Sequence, residues 1–181
     1  MKFLIFFTFF LITKMAFAEF FQDISNTIKN NKERLSYGIS VTDFNKDGQF
    51  EFIVTGFRYP NLALSYKKGY LENLINEEVF SDNLRSTIGV AACDIDNDGF
   101  EELYFLNTDT YSGRKQYSDR LLDSQTKIID LFEIEKNLKS LNLTAGRSVY
   151  VSTEMVLALM GFMLLIMVVQ QDFMSLLIIE L

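Results

Sequence analysis

Two nine-residue stretches decide how this chain is read. They are Asp43-Phe44-Asn45-Lys46-Asp47-Gly48-Gln49-Phe50-Glu51 and, 51 residues later, Asp94-Ile95-Asp96-Asn97-Asp98-Gly99-Phe100-Glu101-Glu102. Both follow D-x-[DN]-x-D-G-x-x-E. A hard cation such as calcium takes about six to eight oxygen ligands in a flexible cage. The side chains at the first, third, fifth and ninth places of each loop carry oxygens at a spacing suited to that cage. In loop one these are Asp43, Asn45, Asp47 and Glu51. In loop two they are Asp94, Asp96, Asp98 and Glu102. The backbone carbonyl at the seventh place, Gln49 or Phe100, adds another oxygen. Gly48 and Gly99 allow the sharp return of the chain, because glycine reaches positive φ without a Cβ clash.

Charge argues for a metal. At the ligand places loop one carries three carboxylates, Asp43, Asp47 and Glu51, and loop two four, Asp94, Asp96, Asp98 and Glu102. Like charges held a few ångströms apart repel strongly, and a divalent cation removes the repulsion while tying two strands together. An EF-hand begins in the same way, but it needs a bidentate Glu at its twelfth place and flanking helices. Val54 and Phe105 stand at that place, and the flanks are rich in β-branched and aromatic residues. Zinc would want His or Cys, and magnesium a stricter octahedron. The expectation is therefore Ca2+ at two β-loop-β sites. The rival reading is a pair of Asp/Gly-rich hairpin turns without metal; the recurrence of the loop in register favours calcium.

The surroundings of the loops repeat too. Tyr37-Gly38-Ile39-Ser40-Val41-Thr42 aligns with Ile88-Gly89-Val90-Ala91-Ala92-Cys93, and Phe52-Ile53-Val54 with Leu103-Tyr104-Phe105. Short apolar runs separated by Asn, Asp and Gly predict a meander of strands. The first set falls at about 38–42, 50–56, 61–66 and 70–75. The second falls at about 89–93, 101–107, 119–123 and 127–132. Repeats of roughly 40–50 residues with four strands each are the pattern of propeller blades. The predicted fold is all-β, about two four-stranded β-propeller blades, with an N-terminal signal peptide and an apolar C-terminal tail. The divisions are 1–18 signal peptide, 19–36 lead-in, 37–87 first repeat, 88–144 second repeat, 145–150 the start of a third, and 151–181 the tail.

The net charge of −7 and the absence of histidine narrow the function. A phosphate backbone wants a basic face, so nucleic acid is not expected as a partner. Without His there is no Ser-His or Cys-His pair. The single Cys93 has no internal disulfide partner and reads as a small buried strand residue. A bound metal is one alternative staple for an exported domain without disulfides. Asn142-Leu143-Thr144 fits the N-glycosylation pattern, a short motif that recurs by chance.

These residues resemble the FG-GAP/VCBS repeats of integrin-like propellers. The loops with their flanks, Tyr111-Ser112-Gly113, Tyr117-Ser118-Asp119 and Ala145-Gly146-Arg147-Ser148-Val149 resemble, more narrowly, the cartilage acidic protein family. The resemblance covers about residues 37–149. It implies an extracellular, calcium-binding propeller used for interaction and not for catalysis. Asn45 departs from the family pattern, where Asp is common, but keeps an oxygen ligand.

Lys2, the apolar run from Phe3 to Ile12 and Ala16-Phe17-Ala18 form an export signal. That predicts a secreted, extracellular or periplasmic protein. In the tail, Met155 to Val169 is uninterruptedly apolar. As a helix it would cover about 22 Å of a roughly 30 Å hydrocarbon core. A membrane partner, and a membrane-anchored location, are expected only if this is a genuine span. The other reading is a one-base reading-frame slip near Tyr150. Re-read in that frame, the codons for Val151 to Val156 permit Cys-Val-Asp-Arg-Asn-Gly, which resembles the start of another repeat. A closed propeller takes at least about four blades, so the chain reads as a piece of a longer protein.

The expected function is a non-catalytic, extracellular calcium-binding module whose loops meet a protein or polysaccharide. Two alternatives stand beside it: a single-span membrane protein displaying a calcium-loop ectodomain, and a fragment of a calcium-dependent enzyme acting on polysaccharide.

Overall fold

The computed structural model describes residues 21–152, 165–169 and 174–178. The expected signal peptide lies outside the described residues. Four strands, β1 (Ile39–Thr42), β2 (Glu51–Val54), β3 (Leu62–Lys67) and β4 (Tyr70–Asn73), form one antiparallel sheet in sequential order. A second sheet has the same order with β5 (Thr87–Cys93), β6 (Glu102–Asn107), β7 (Arg120–Asp123) and β8 (Ile129–Asp130). Each loop with the D-x-[DN]-x-D-G pattern joins the first strand of a sheet to the second. Thr42 pairs with Glu51 across the first hairpin, and Cys93 pairs with Glu102 across the second.

The two sheets bury their faces against each other because strand side chains alternate between faces. From the first repeat, Phe44, Ile53, Ala63 and Phe80 meet Val90, Leu103, Phe105, Leu122 and Ile128 of the second. The alternate residues of β6, Tyr104 and Leu106, point the other way. They join Ile95, Leu121 and Phe132 in a second core, against which Val149 packs. All six residues of β6 are buried as a result. Burying one such side chain is worth about 1.5–3 kcal/mol. Ion pairs reinforce the joint: Arg120 Nε on β7 lies 3.2 Å from Asp82 Oδ2 of the first repeat. Where β1 approaches β5 there is no room for a side chain. A Cβ on Gly38 would come within 2.8 Å of the Gly89 Cα.

The outer face of the first sheet carries the residues equivalent to this joint, but among the described residues nothing covers it. Ile39 is 62% exposed and Val41 54%, whereas their counterparts Val90 and Ala92 pack in the joint.

Several expectations are refined. The strand foreseen at 127–132 is only Ile129–Asp130, followed by a 3-10 turn at Leu131–Glu133. The reason is local: Asp130 Oδ1 accepts from both Phe132 N at 3.0 Å and Leu121 N at 3.3 Å, ending the ladder. A short helix, α1 (Glu78–Ser81), follows the first sheet, ending at Asp82 in the left-handed region. In the lead-in, a 3-10 turn at Ser25–Thr27 precedes a parallel bridge from Ile28 to Leu71. Strand β9 (Ser148–Ser152) opens a three-stranded antiparallel sheet with β10 (Leu165–Val169) and β11 (Met174–Ile178). The described parts of the apolar tail are thus strands. Among the described residues, no helix is long and apolar enough to cross a membrane.

Candidate metal centre

Each loop is built by its own aspartates. In loop one, Asp43 Oδ1 accepts from Asp47 N at 3.0 Å and Asp43 Oδ2 from Gly48 N at 2.9 Å. Asn45 Oδ1 accepts from Asp47 N at 2.9 Å, and Asp47 Oδ1 from Gln49 N at 2.9 Å. Loop two repeats the plan. Asp94 Oδ2 accepts from Gly99 N at 2.9 Å, Asp96 Oδ1 from Asp98 N at 3.1 Å, and Asp98 Oδ1 from Phe100 N at 2.7 Å. The glycines sit at φ 84° and 88°, and the fourth residues, Lys46 and Asn97, at 56° and 61°. These bonds bend the chain twice within six residues; in loop one both oxygens of Asp43 accept and Asp47 Oδ2 accepts from Asn45 Nδ2 at 3.2 Å, whereas in loop two Asp94 Oδ1 has no hydrogen-bond partner.

The ninth residue of each loop is the informative one. Glu51 and Glu102 are almost fully buried. Both carboxylate oxygens of Glu51 lack a hydrogen-bond partner, as do Glu102 Oε1 and Asp94 Oδ1. Glu102 Oε2 accepts from Ile95 N at 2.6 Å. A buried carboxylate without a partner costs several kcal/mol if ionised, so an acceptor-rich pocket of this kind fits a cation. Burial raises Glu51 above the usual carboxylate range, with Asp47 and Asp43 adding to the rise. Burial, helped by the charge of Asp96, pushes Glu102 up to about 7. The Cys93 thiol is raised to about 11 by burial and by the neighbouring Glu102, Glu101 and Asp94, which leaves it a poor nucleophile.

In loop two, Asp94, Asp96 and Glu102 each place a carboxylate oxygen within 4.8 Å of the others. Asp98 stands outside that trio. In loop one, Asp43, Asp47 and Glu51 form no equally tight group among the described residues. Gln49 and Phe100 occupy the seventh places, with their N–H groups turned to Asp47 and Asp98. The donor set of loop two therefore fits a divalent ion as it stands, with Asp94, Asp96 and Glu102 to hold it.

Sequence reasoning missed a second polar cluster. Lys115 and Asp119 form a fully buried ion pair. The Tyr104 hydroxyl donates to Asp119 Oδ2 at 2.7 Å, and Asn107 N donates to Oδ1 at 2.7 Å. Lys115 Nζ also donates to the Asn107 carbonyl at 2.9 Å. Asn142, the residue of the glycosylation pattern, spends its amide nitrogen on Asp119 at 2.6 Å. No periodic signal marks such a cluster; Tyr104, Asn107 and Asp119 fell within stretches singled out by resemblance, and Lys115 did not.

This hairpin plan, repeated in two packed four-stranded sheets, is that of a blade-type repeat. Residues 23–105 match the family described as FG-GAP-like repeat. Its similarity extends to curated proteins called cartilage acidic protein 1. The chain is 45% identical to the Xenopus tropicalis protein over 132 residues and 41% identical to the Homo sapiens protein over 132. To the Mus musculus protein it is 40% identical over 134. Each match takes in 66% of this chain and 20% of the relative, so the chain spans about a fifth of the length of the relatives it matches.

Proposed function

We propose that this chain is a non-catalytic, extracellular calcium-binding repeat module that presents its loops to a protein or polysaccharide partner. The observation that carries the reading is the pair of buried glutamates, Glu51 and Glu102, at the closing end of each loop: both oxygens of Glu51, and Oε1 of Glu102, lack a hydrogen-bond partner. Calcium in loop two would be held by Asp94, Asp96 and Glu102, with Asp98 and the Phe100 carbonyl completing the shell. In loop one it would be held by Asp43, Asn45, Asp47, Glu51 and the Gln49 carbonyl. The ion supplies charge neutralisation and ties the first two strands of each sheet. The export signal in residues 1–18 and the relatives' name, which points to an extracellular tissue, support the location.

Thermal melting tests this. A ligand that binds only the folded state stabilises by about 2.7 kcal/mol at a concentration one hundred times its Kd. Calcium should raise the Tm of the chelator-treated chain by several degrees, and magnesium at the same concentration by less. An unchanged Tm at millimolar calcium would contradict the proposal.

A further inference from the structure

Loop one is fastened to loop two. Thr42, buried immediately before Asp43, donates its hydroxyl to Glu101 Oε2, beside Glu102. Ser124 Oγ of the second repeat donates to the Phe44 carbonyl at 2.8 Å. The third link is Lys46. Its N–H donates to the Asp43 carbonyl at 3.1 Å within loop one, but its ammonium reaches out of that loop. Nζ lies 3.4 Å from the Asp98 carbonyl oxygen and 4.6 Å from the centroid of the Phe100 ring. It also occupies the space where a side chain on Gly99 would sit. The side chain of a residue in one loop therefore rests on the 98–100 segment of the other. Asn97, its counterpart in loop two, is too short to reach as far.

We propose that Lys46 couples the two loops, so that an ion in loop one tightens the binding of an ion in loop two. This rests on the calcium reading above. An ion that draws the oxygens of Asp43, Asn45 and Asp47 together fixes the backbone from which Lys46 projects. The positioned ammonium then holds residues 98–100 in one shape through the carbonyl contact and the cation–π contact. Phe100 carries the backbone oxygen at the seventh place of loop two. Loop two binds with less ordering left to do, and a site rigidified in advance binds its ligand more tightly. The ammonium also repels the second ion. That repulsion is weakened because Lys46 is exposed and screened by water and salt, so ordering prevails. Coupling of binding is reciprocal, so an ion in loop two tightens loop one by the same factor.

Calcium calorimetry on the full chain tests the coupling. The product of the two stepwise association constants of the intact chain is compared with the product of the single-site constants of Asp47→Ala and Asp94→Ala. The expected ratio is about fivefold in favour of the intact chain, the low end of typical couplings. It falls to about one when all three proteins also carry Lys46→Met, the value that marks independent sites. A ratio of one without Lys46→Met, or the same ratio with and without it, overturns the coupling and leaves calcium binding standing. No calcium heat in the intact chain overturns the calcium reading and the coupling with it. If a loop variant fails to fold, Lys46→Met alone still decides, because it changes an exposed side chain. A flatter calcium titration than that of the intact chain is the expected result, and unchanged steepness overturns the proposal.

Discussion

Glu102 gives one carboxylate oxygen, Oε2, to the Ile95 N–H at 2.6 Å, and keeps the other, Oε1, buried without a hydrogen-bond partner. One side chain thus closes loop two and leaves an acceptor facing inward. Its acidity follows from the same placement. Burial raises it from an ordinary 4.5 to about 7, so near neutrality a proton and a cation would compete for this carboxylate.

A pH dependence results, and its sign can be stated. A carboxyl whose folded pKa is raised favours folding while protonated. Its contribution is complete below pH 4.5 and is lost as the pH rises through about 7. The calcium-free chain should therefore lose stability over that window relative to Glu102→Gln, which stays neutral. Calcium binding should run the other way, weakening as the pH falls below about 7 and releasing protons near it. Melting both proteins in chelator at pH 5 and pH 8 checks the first part. Calorimetry in buffers of different ionisation heat checks the second. A gap between the two proteins that does not widen toward pH 8 would contradict it.

The joint between the sheets should dominate stability. Phe105 is fully buried, with its ring centroid 5.7 Å from that of Phe80 in an edge-on contact. Phe105→Ala should cost about 3–5 kcal/mol in urea unfolding. Val41→Thr, on the exposed face of β1, should change stability by less than about 0.5 kcal/mol. Equal costs for the two would refute the account of the joint.

The strands were legible as short runs of β-branched and aromatic residues between Asn, Asp and Gly. Such runs do not say which neighbour a face meets, so the burial of Val90, Leu103 and Phe105 and the exposure of Ile39, Val41 and Phe52 could not be told apart. The helix at Glu78–Ser81 is a single turn, too short to display a period of 3.6. The loops were legible as ligand patterns, since each oxygen sits at a fixed place. The reach of Lys46 to Phe100 crosses 54 positions and leaves no trace in local spacing. In the tail, an unbroken apolar run looks alike whether it becomes a span or a strand. The pairing of Leu165 with Ile178 and with Ser152 is a tertiary fact.

The buried Lys115–Asp119 pair should be expensive to break. Burial lowers the Lys115 pKa and raises that of Asp119, while each charge offsets the effect on the other. Asp119→Ala leaves a buried ammonium alone and should cost about 3–5 kcal/mol. Tyr104→Phe removes a single hydrogen bond to the same carboxylate and should cost about 1–2 kcal/mol. Denaturant unfolding of the two variants separates them, and a larger loss for Tyr104→Phe would contradict the assignment.

The most direct test is the number of calcium ions taken up by the full chain after chelator treatment, measured by equilibrium dialysis at pH 8. The account predicts two per chain, falling to one in Asp94→Ala. Uptake of none, or of two in both proteins, would contradict it.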